Sequence, residues 1–364
     1  NGSSTLVITD DPASEQGYVN LRLSGLAANT TYVISFRANA AYTNTSGYSH
    51  HVGNVVGATI YSDATQNGTK NQQSITFTTL ASGVPTIVLY SHHTSALTYT
   101  LDLRRAEEDR SVNNKGLQVF GTVTKSAVAT GADLVAYSGF SSSNYLQQPY
   151  NSGLAYGTGD FCYTVWAKKT GTALGYIFDR SNGDGSQRVT AYFNNGGSIS
   201  GYTNNGAIYD VVVPNDEWFQ LVHLRTNGTM KIYINGIFKG SVATATNLSG
   251  DTNVPLKIGT RFSNSDTLTD GSLSLFRSSA TAPTAEQIAK MYHDEKQLFQ
   301  ENAKATLYGT SDNVTALAYD DDTELLHAGT SAGRSVFQGL RRVENTTDAV
   351  GSAISASNGL VAED

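Results

Sequence analysis

Cysteine, methionine, tryptophan and proline are all scarce in this chain. Its 364 residues include one cysteine, two methionines, two tryptophans and six prolines. A single cysteine excludes an internal disulfide, and the position of Cys162 in an alternating run predicts a small buried apolar residue. Such a shortage of cysteine is typical of a protein made in a reducing cytoplasm, even one that acts outside the cell.

Charged residues are also few, at 15% of the chain, compared with about 25% in typical soluble domains. The polar surface must come instead from Asn, Ser, Thr and Gly, which favour strands and turns over helix interiors. Hydrophobic residues make up 39% of the chain, and tyrosine outnumbers phenylalanine by 20 to 13. The composition therefore predicts an all-β protein with sizeable cores and many half-buried aromatic rings.

The charge balance and the hydropathy pattern argue against two classes of partner. The net charge is −7 and no basic stripe offsets it, so we expect no nucleic-acid binding. No stretch reaches the ~18–20 apolar residues of a transmembrane helix, so we expect no membrane insertion. The chain begins without an initiator methionine or a signal-like segment, which predicts a processed chain or a piece of a longer one.

The apolar pattern divides the chain into three regions. Residues 1–105 alternate apolar and polar positions in short runs, which predicts an antiparallel sandwich. A charged cluster at residues 104–115 predicts a linker, and a second β-rich region covers residues 106–303. Residues 304–364 return to short strands separated by tight turns, and they predict a meander like one blade of a β-propeller.

Short-range signals predict two hairpins and one helix within the second region. Asn227-Gly228 and Asn235-Gly236 are two-residue turns whose residues tolerate the positive φ of a type I′ turn. Thr284 and Gln287 have the spacing of a capping box. Apolar residues then recur at helical spacing, so we predict a helix over residues 284–302.

One loop, residues 179–185, is the strongest candidate for a binding site. Oxygen donors on a glycine-containing turn suit Ca²⁺ or a sugar, but the spacing of an EF-hand is absent and a solvated hairpin turn fits the same residues. Sugars pack on flat amphipathic rings beside short polar side chains. The predicted carbohydrate-binding residues are Asp179, Asn182, Asp184, Tyr192 and Tyr202.

No catalytic residue is predicted. Residues 329–333 match the pattern G-x-S-x-G, but a strand rather than a helix is expected to follow. The acids at residues 107–109 lie in the charged cluster and not on either side of a cleft, as glycoside hydrolysis needs. Each histidine pair, at residues 50–51 and 92–93, offers only one side chain to a common face, too few for zinc. We therefore predict a non-enzymatic protein.

The segment at residues 215–236 has a pattern found in one family of sandwiches. In it Trp218 opens a strand, and a hairpin leads to a second strand that ends in Tyr-Ile-Asn-Gly. This pattern resembles the laminin G-like, concanavalin A-like family, and the earlier strand containing Trp166 resembles that family's opening strand. The resemblance covers roughly residues 116–300. It implies a concanavalin A-like sandwich with one following helix, in which both tryptophans are core residues.

The first region resembles the galactose-binding-like jelly rolls of carbohydrate-binding modules. Such jelly rolls often hold a structural Ca²⁺ on acids near their first and last strands. The resemblance therefore implies a calcium site with Asp10, Asp11 and Asp102 as its ligands.

Further segments, at residues 128–140, 146–150 and 303–342, are similar to segments that recur in tail fibre proteins of marine bacteriophages. This resemblance implies an extracellular virion protein that binds a host-surface polysaccharide, contacts other virion proteins and forms a homotrimer. Two alternatives stay open. One is a structural or decorating virion protein whose lectin-like folds serve assembly only, and the other is a secreted bacterial adhesin or glycan hydrolase.

Overall fold

A computed structural model of the chain describes residues 2–8, 17–38, 51–53, 55–56, 72–91, 97–111, 113, 115–183, 188–204, 206–244, 247–248, 254–304, 306–311 and 313–364. The strands of the first region are β1 (Gly2–Ile8), β2 (Gly17–Arg22), β3 (Thr31–Ala38), β4 (His51–Gly53), β5 (Val55–Val56), β6 (Gln72–Thr79), β7 (Thr86–Ser91) and β8 (Leu97–Glu107).

The central region contains fourteen strands and the α-helix. The strands before the first predicted hairpin are β9 (Leu117–Phe120), β10 (Thr124–Ala127), β11 (Val135–Ser138), β12 (Tyr145–Gln148), β13 (Phe161–Lys169), β14 (Gly175–Arg180), β15 (Val189–Phe193), β16 (Ile199–Thr203), β17 (Gly206–Val211) and β18 (Phe219–Thr226). The remaining elements are β19 (Thr229–Ile234), β20 (Ile237–Ala243), β21 (Leu256–Ile258), β22 (Gly271–Ser279) and α1 (Ala285–Glu295). The last region contains β23 (Val314–Asp320), β24 (Leu325–Thr330), β25 (Gly333–Gln338), β26 (Arg341–Asn345), β27 (Ile354–Ser357) and β28 (Leu360–Glu363).

The first region forms a two-sheet sandwich. Strands β1, β3, β5, β6 and β8 lie in one sheet, and β2, β7 and β4 form the other. Alternation places Tyr32, Ile34 and Phe36 on the inner face of β3, where all three are buried. Burying each such side chain contributes roughly 1.5–3 kcal/mol, and a one-residue slip would turn all three away from this core, so these residues fix the register of β3. The predicted sandwich is confirmed for the described strands.

The central region forms a second sandwich. Strands β9, β12, β21 and β14 to β17 face a seven-stranded sheet in the order β10-β11-β22-β13-β18-β19-β20. The core between the two sheets buries many aromatic rings, among them Phe161, Phe178 and Phe193. Asn227 and Asn235 have φ values of 48° and 52°, and each is followed by a glycine with positive φ. Both predicted hairpin turns are therefore confirmed.

One twelve-stranded sheet runs through both sandwiches. Its order is β17-β16-β15-β14-β21-β12-β9-β8-β3-β6-β5, with β1 also paired to β8. β8 pairs with β9 at Ala106–Gln118 and Glu107–Leu117. The charged cluster, interpreted from the sequence as a linker, begins inside β8. Arg104 of this cluster packs on Phe120 of β9, with its guanidinium carbon 3.8 Å from the ring centre. A hydrogen-bonded strand pair thus joins the sandwiches where a linker was expected.

The helix α1 packs on the seven-stranded sheet, on the side away from the central core. The Thr284 hydroxyl accepts the N–H of Gln287, and the Gln287 side chain accepts the N–H of Thr284, which confirms the capping box. α1 ends at Glu295, earlier than predicted, and a 3₁₀ turn at Lys296–Phe299 follows it. No helix in the described part of the chain is long and apolar enough to cross a membrane.

Trp166 fixes the helix and its 3₁₀ turn to the seven-stranded sheet. It is 2% exposed, and its ring centre lies 4.2 Å from that of Phe299 and 5.7 Å from that of Tyr292. Its indole N–H donates to Glu295 Oε2 at 2.7 Å. Trp166 is therefore a core residue, as the resemblance implied, whereas Trp218 is only half-buried.

The cysteine lies in the same layer, between the sheet and α1. Cys162 is 4% exposed and belongs to the cluster that includes Ile288 of the helix. Burial raises the pKa of its thiol to about 12, so the side chain stays uncharged at neutral pH. The prediction of a small buried apolar residue is confirmed.

The last region is a four-stranded antiparallel meander, β23 to β26, followed by the hairpin of β27 and β28. The G-x-S-x-G residues 329–333 span the tight turn from β24 to β25, so no strand-turn-helix elbow forms there. Asp320 is buried at the end of β23 and accepts the N–H groups of Asp322 and Gly359, which ties the final hairpin to the meander. The interpretation as a propeller blade stays a prediction.

Candidate functional site

The twelve-stranded sheet has a face that points away from both cores, and we call its part from β8 to β17 the outer face. Alternation along the strands defines it: Leu117 and Val119 of β9 pack on the central core, so Gln118 and Phe120 point the other way. The register carries this direction across the sheet, since Gln118 pairs with Gln147 of β12, and Gln147 pairs with Lys257 of β21. Side chains from eight neighbouring strands, β8, β9, β12, β21 and β14 to β17, therefore share one face of the sheet.

Four tyrosines form a ladder at one end of the outer face. The rings of Tyr176 and Tyr192 are stacked with centres 4.9 Å apart, and those of Tyr192 and Tyr202 with centres 5.8 Å apart. Tyr209 meets Tyr202 edge to face at 5.3 Å and is 58% exposed. Because each ring sits on a neighbouring strand, β14 to β17, the ladder runs across the strands and ends in an exposed ring.

Two arginines lie against the ladder. The guanidinium carbon of Arg188 is 4.1 Å from the ring centre of Tyr202, and its Nη2 donates to the Tyr176 hydroxyl at 3.3 Å. Arg261 lies 5.7 Å from the ring centre of Tyr176 and forms an ion pair with Asp266. Cations over ring faces hold the rings in place and leave their own N–H groups available to a ligand.

A pocket of about 340 Å³ opens beside the ladder, within the range of roughly 300–1,000 Å³ for small-molecule sites. It is lined by Gln147, Ser181, Asn182, Val254, Pro255, Lys257 and Phe262. The loop after β14 shapes one wall of the pocket. Gly183 in this loop has a φ of 91°, and a Cβ atom added to it would lie 2.7 Å from the Phe262 ring. A side chain at position 183 would therefore displace that wall.

Lys257 provides the positive charge of the pocket. Its Nζ donates to the Phe262 carbonyl at 2.7 Å and to Asn264 Oδ1 at 2.5 Å, and it lies 5.1 Å from the ring centre of Tyr145. Two of the three ammonium hydrogens are thus used by described residues, and the third is available. Burial lowers the pKa of Lys257, while the charge of Asp179 acts against that change.

Asp179 lies beneath the same pocket wall. It is 1% exposed, and its Oδ2 accepts the Phe262 N–H at 2.9 Å and the Ser181 hydroxyl at 3.2 Å. Its Oδ1 has no hydrogen-bond partner among the described residues. Burial raises the pKa of the carboxyl, and the bond from Phe262 opposes that rise. Asp179 therefore orients the loop of the pocket from below.

The structure places most of the predicted carbohydrate-binding residues at one end of the outer face. Tyr192 and Tyr202 are half-buried members of the ladder, and Asn182 is an exposed residue of the pocket wall. Asp179 supports that wall, whereas Asp184 lies outside the described residues. That these residues bind a sugar stays a prediction.

Sequence reasoning missed three residues of this surface: Lys257, Gln147 and Arg188. Lys257 stands in a three-residue strand, β21, with no motif around it, and Gln147 is one of two adjacent glutamines in β12. Their positions come from pairing between strands far apart in the chain. The available signal was the alternation along β12: the apolar Leu146 faces the core, so its neighbour Gln147 faces the other side of the sheet.

The implied calcium ligands are described only in part. Asp10 and Asp11 lie outside the described residues. Asp102 Oδ2 accepts the Arg104 Nε–H at 2.9 Å, and its buried Oδ1 has no partner in the described part of the chain. An unpartnered carboxylate oxygen fits a Ca²⁺ ligand. No group of three or more His, Cys, Asp or Glu residues that could hold a metal occurs among the residues described.

The acids weighed for glycoside hydrolysis have other contacts. Glu107 accepts the Tyr137 hydroxyl at 2.7 Å and pairs with Lys125 at 2.5 Å. Asp109 accepts the N–H groups of Ser111 and Lys115 in a turn, and these bonds outweigh burial and lower its pKa. These contacts are structural. The histidines at positions 50, 92 and 93 and the side chain of the histidine at 51 lie outside the description.

Three solved structures are similar to this chain at low sequence identity. The receptor binding domain of botulinum neurotoxin C/D mosaic serotype is 15% identical over 66% of this chain and 61% of its own length, with a TM-score of 0.42. The botulinum neurotoxin serotype G binding domain is 12% identical over 63% and 58%, with a TM-score of 0.44. Domain 4 of AbnA, an extracellular arabinanase from Geobacillus stearothermophilus solved with arabinotriose, is 18% identical over 50% and 91%, with a TM-score of 0.40.

A family model gives the assignment of the central sandwich. No curated protein sequence matches this chain. Residues 140–289 match the model described as the concanavalin A-like lectin/glucanases superfamily. These residues include β13 to β22, most of the sandwich that carries the tyrosine ladder and the pocket. The chain therefore contains a concanavalin A-like domain.

Proposed function

We propose that this chain is a non-enzymatic receptor-binding protein of a virion, which attaches to a polysaccharide on the host surface. The observation that carries the binding role is the tyrosine ladder, ending in an exposed ring and lying beside a polar pocket. Sugar rings present apolar C–H faces, which pack on aromatic rings, and hydroxyls, which bond to short polar side chains. The virion role rests on the resemblance of three segments to marine phage tail fibres.

Repetition of the site would strengthen the attachment. We propose that the chain forms a homotrimer, contacts other virion proteins and is exposed outside the cell. Three linked copies bind a polymeric surface with an avidity that can exceed the single-site affinity by about 10²–10⁴. Weak single sites therefore suffice for attachment.

Removal of the stacked rings tests the binding role. We expect Tyr192→Ala and Tyr202→Ala each to lower the affinity for a bacterial surface polysaccharide about tenfold, or about 1.4 kcal/mol, because each deletes one ring of the ladder and leaves the neighbouring rings without a stacking partner. Titration calorimetry of the purified chain against a panel of such polysaccharides measures the loss.

Tyr319→Ala is the matched control, since Tyr319 is 54% exposed in the distant terminal meander. It should bind like the unchanged chain. Equal affinities for all three variants would contradict the placement of the site, and the absence of binding to any polysaccharide would favour a purely structural virion protein. Release of reducing ends from a bound polysaccharide would instead identify a hydrolase.

We further propose a structural Ca²⁺ in the first sandwich, with Asp102 among its ligands. We expect EDTA to lower the midpoint of thermal unfolding and CaCl₂ to restore it, since an ion at 100 times its Kd stabilises the folded state by about 2.7 kcal/mol. Asp102→Asn should make the midpoint insensitive to both additions. The same midpoint in EDTA and in CaCl₂ for the unchanged chain would refute the calcium proposal.

A further inference from the structure

The contacts on the outer face continue beyond the pocket, toward the first sandwich. Lys257 lies over Tyr145 at 5.1 Å, and Tyr145 stacks on Phe120 with ring centres 4.4 Å apart. Phe120 in turn lies under the guanidinium of Arg104, at 3.8 Å. Arg104 belongs to β8, a strand of the first sandwich. A line of touching rings and cations therefore leads from the pocket onto the neighbouring sandwich.

We call this line the track, and it consists of Arg104, Phe120, Tyr145, Lys257, Phe262, Arg261, Tyr176, Tyr192, Tyr202 and Arg188. It crosses the strands nearly at right angles, from β8 to β16, and so makes six strand-to-strand steps. At about 4.8 Å a step, its length is roughly 29 Å. That length accommodates several linked pyranose rings, whereas the pocket alone accommodates a short piece of glycan.

The charged side chains along the track are mainly cations. Lys257 and Arg188 form no ion pair with any described residue, and only Arg104 and Arg261 are paired, with Asp102 and Asp266 respectively. The remaining acid, Asp179, is buried beneath the pocket wall, where its charge acts on Lys257, Arg188 and Arg261, so the described track has four cations and three acids. The net charge of −7 belongs to the whole chain, but a ligand at the surface responds to the local field. The described part of the track therefore favours a negatively charged ligand.

We propose that the track binds an internal stretch of a linear acidic polysaccharide, which lies across the strands and contacts both sandwiches. Carboxylate or sulfate groups of the polymer pair with Lys257 and Arg188, and Arg104 contacts the chain at the far end. The accessible parts of the half-buried rings Phe120, Tyr192 and Tyr202 contact the sugars between these cations, while Tyr145 and Tyr176, 6% and 5% exposed, support those rings from within the face. This inference rests on the proposed glycan-binding function and adds the class of glycan and the extent of the site.

Matched pairs of polymers test the charge requirement. The probes are dextran sulfate with dextran, and polygalacturonate with its methyl ester, measured by calorimetry on the whole chain at low and moderate salt. We expect the acidic member of at least one pair to bind about tenfold or more tightly than its neutral partner, with the difference shrinking as salt rises. Equal binding of both members would overturn the acidic assignment and leave the proposed function intact.

Variants at the far end test the extent of the site. We expect Arg104→Gln to weaken binding of the acidic polymer about tenfold and Arg105→Gln by less than about twofold. Arg105 is the exposed neighbour on the opposite face of β8, so both changes remove one charge from the same strand. Equal losses would indicate non-specific attraction, and no loss for either would confine the site to the pocket; both results contradict the track.

Lys257→Met and Arg188→Gln provide independent checks nearer the centre. Each should lower affinity for the acidic polymer about tenfold. Lys257→Met should leave affinity for the neutral partner within about twofold, and Arg188→Gln should lower it by less than it lowers affinity for the acidic polymer, since Arg188 also lies against the rings of Tyr176 and Tyr202. Arg188→Gln serves if Lys257→Met fails to fold, because Arg188 precedes β15 and is half-buried. Variants that lose both polymers equally would refute the pairing with acidic groups. A failure of every polymer to bind the unchanged chain would defeat the proposed function as well.

Discussion

Lowering the pH from 7 to 4 is expected to reduce the free energy of unfolding by about 3 kcal/mol through His223 alone. This side chain is 0% exposed in the central core, with its ring centre 6.0 Å from Phe161 and 5.9 Å from Phe178. Its Nδ1 has no partner among the described residues, and its Nε2 is 3.3 Å from the Thr203 hydroxyl. Burial lowers the pKa of His223 to about 3.

The sign follows from proton uptake. In the unfolded chain an imidazole takes up its proton near pH 6.5, whereas the folded chain takes it up only near pH 3. Below pH 6.5 the unfolded state therefore binds more protons, and stability falls as the pH decreases through that window. Each pH unit inside the window costs about 1.4 kcal/mol. Above pH 6.5 the contribution is constant.

Urea unfolding at pH 7, 6, 5 and 4 measures the effect, with His223→Gln as the non-titrating comparison. Glutamine keeps a polar side chain facing Thr203 and removes the proton site, so the variant should start less stable at pH 7 and lose less on acidification. Carboxylates affect both proteins alike, so the difference between the two slopes isolates His223. Parallel slopes would show that the imidazole titrates normally in the folded protein.

Trp166→Ala is expected to lower the free energy of unfolding by about 3–5 kcal/mol, the range for deleting a large buried aromatic side chain. The change removes the stacking on Phe299 and Tyr292 and leaves Glu295 without its indole donor. Because these three residues belong to α1 and the turn after it, the helix should also detach before the sandwich unfolds. Thermal unfolding and amide hydrogen exchange over α1 measure the two consequences.

Trp166→Phe distinguishes packing from hydrogen bonding. It keeps an aromatic ring and loses the N–H donor, so it should cost about 1–2 kcal/mol and retain protection of the helix amides. Tyr209→Ala, at an exposed ring on the opposite sheet, should leave both measurements unchanged. Normal stability for Trp166→Ala would mean that the helix depends on other contacts.

Local signals in the sequence predicted the parts of the fold that depend on neighbours in the chain. The asparagine–glycine turns at 227 and 235 and the capping box at Thr284 all appear as predicted. In each case one or two residues determine the backbone conformation, through a positive φ or a side chain that caps a free N–H. The end of α1 was misplaced because the apolar spacing continues through the 3₁₀ turn to Phe299.

The candidate site was predictable only in part, because it depends on contacts between residues that are far apart in the chain. Tyr192 and Tyr202 could be predicted as site residues, because they are tyrosines in two successive alternating runs, and their rings stack in the structure. Lys257 reaches the pocket only because β21 pairs with β12 and β14, whose residues lie about 110 and 80 positions earlier. Periodicity reports which face a residue occupies, but not which distant strand lies beside it.

The pairing of β8 with β9 also has a mechanical consequence. If a flexible linker joined the two sandwiches, a force on one of them would reorient it independently of the other. Here the antiparallel pairing of Ala106 with Gln118 and of Glu107 with Leu117, together with the side-chain hydrogen bonds from Gln147 to Gln118 and from Gln118 to Ser35, opposes such a hinge. A force applied through a bound polymer is thus transmitted to both hydrophobic cores. The two sandwiches therefore respond to the force as one rigid unit.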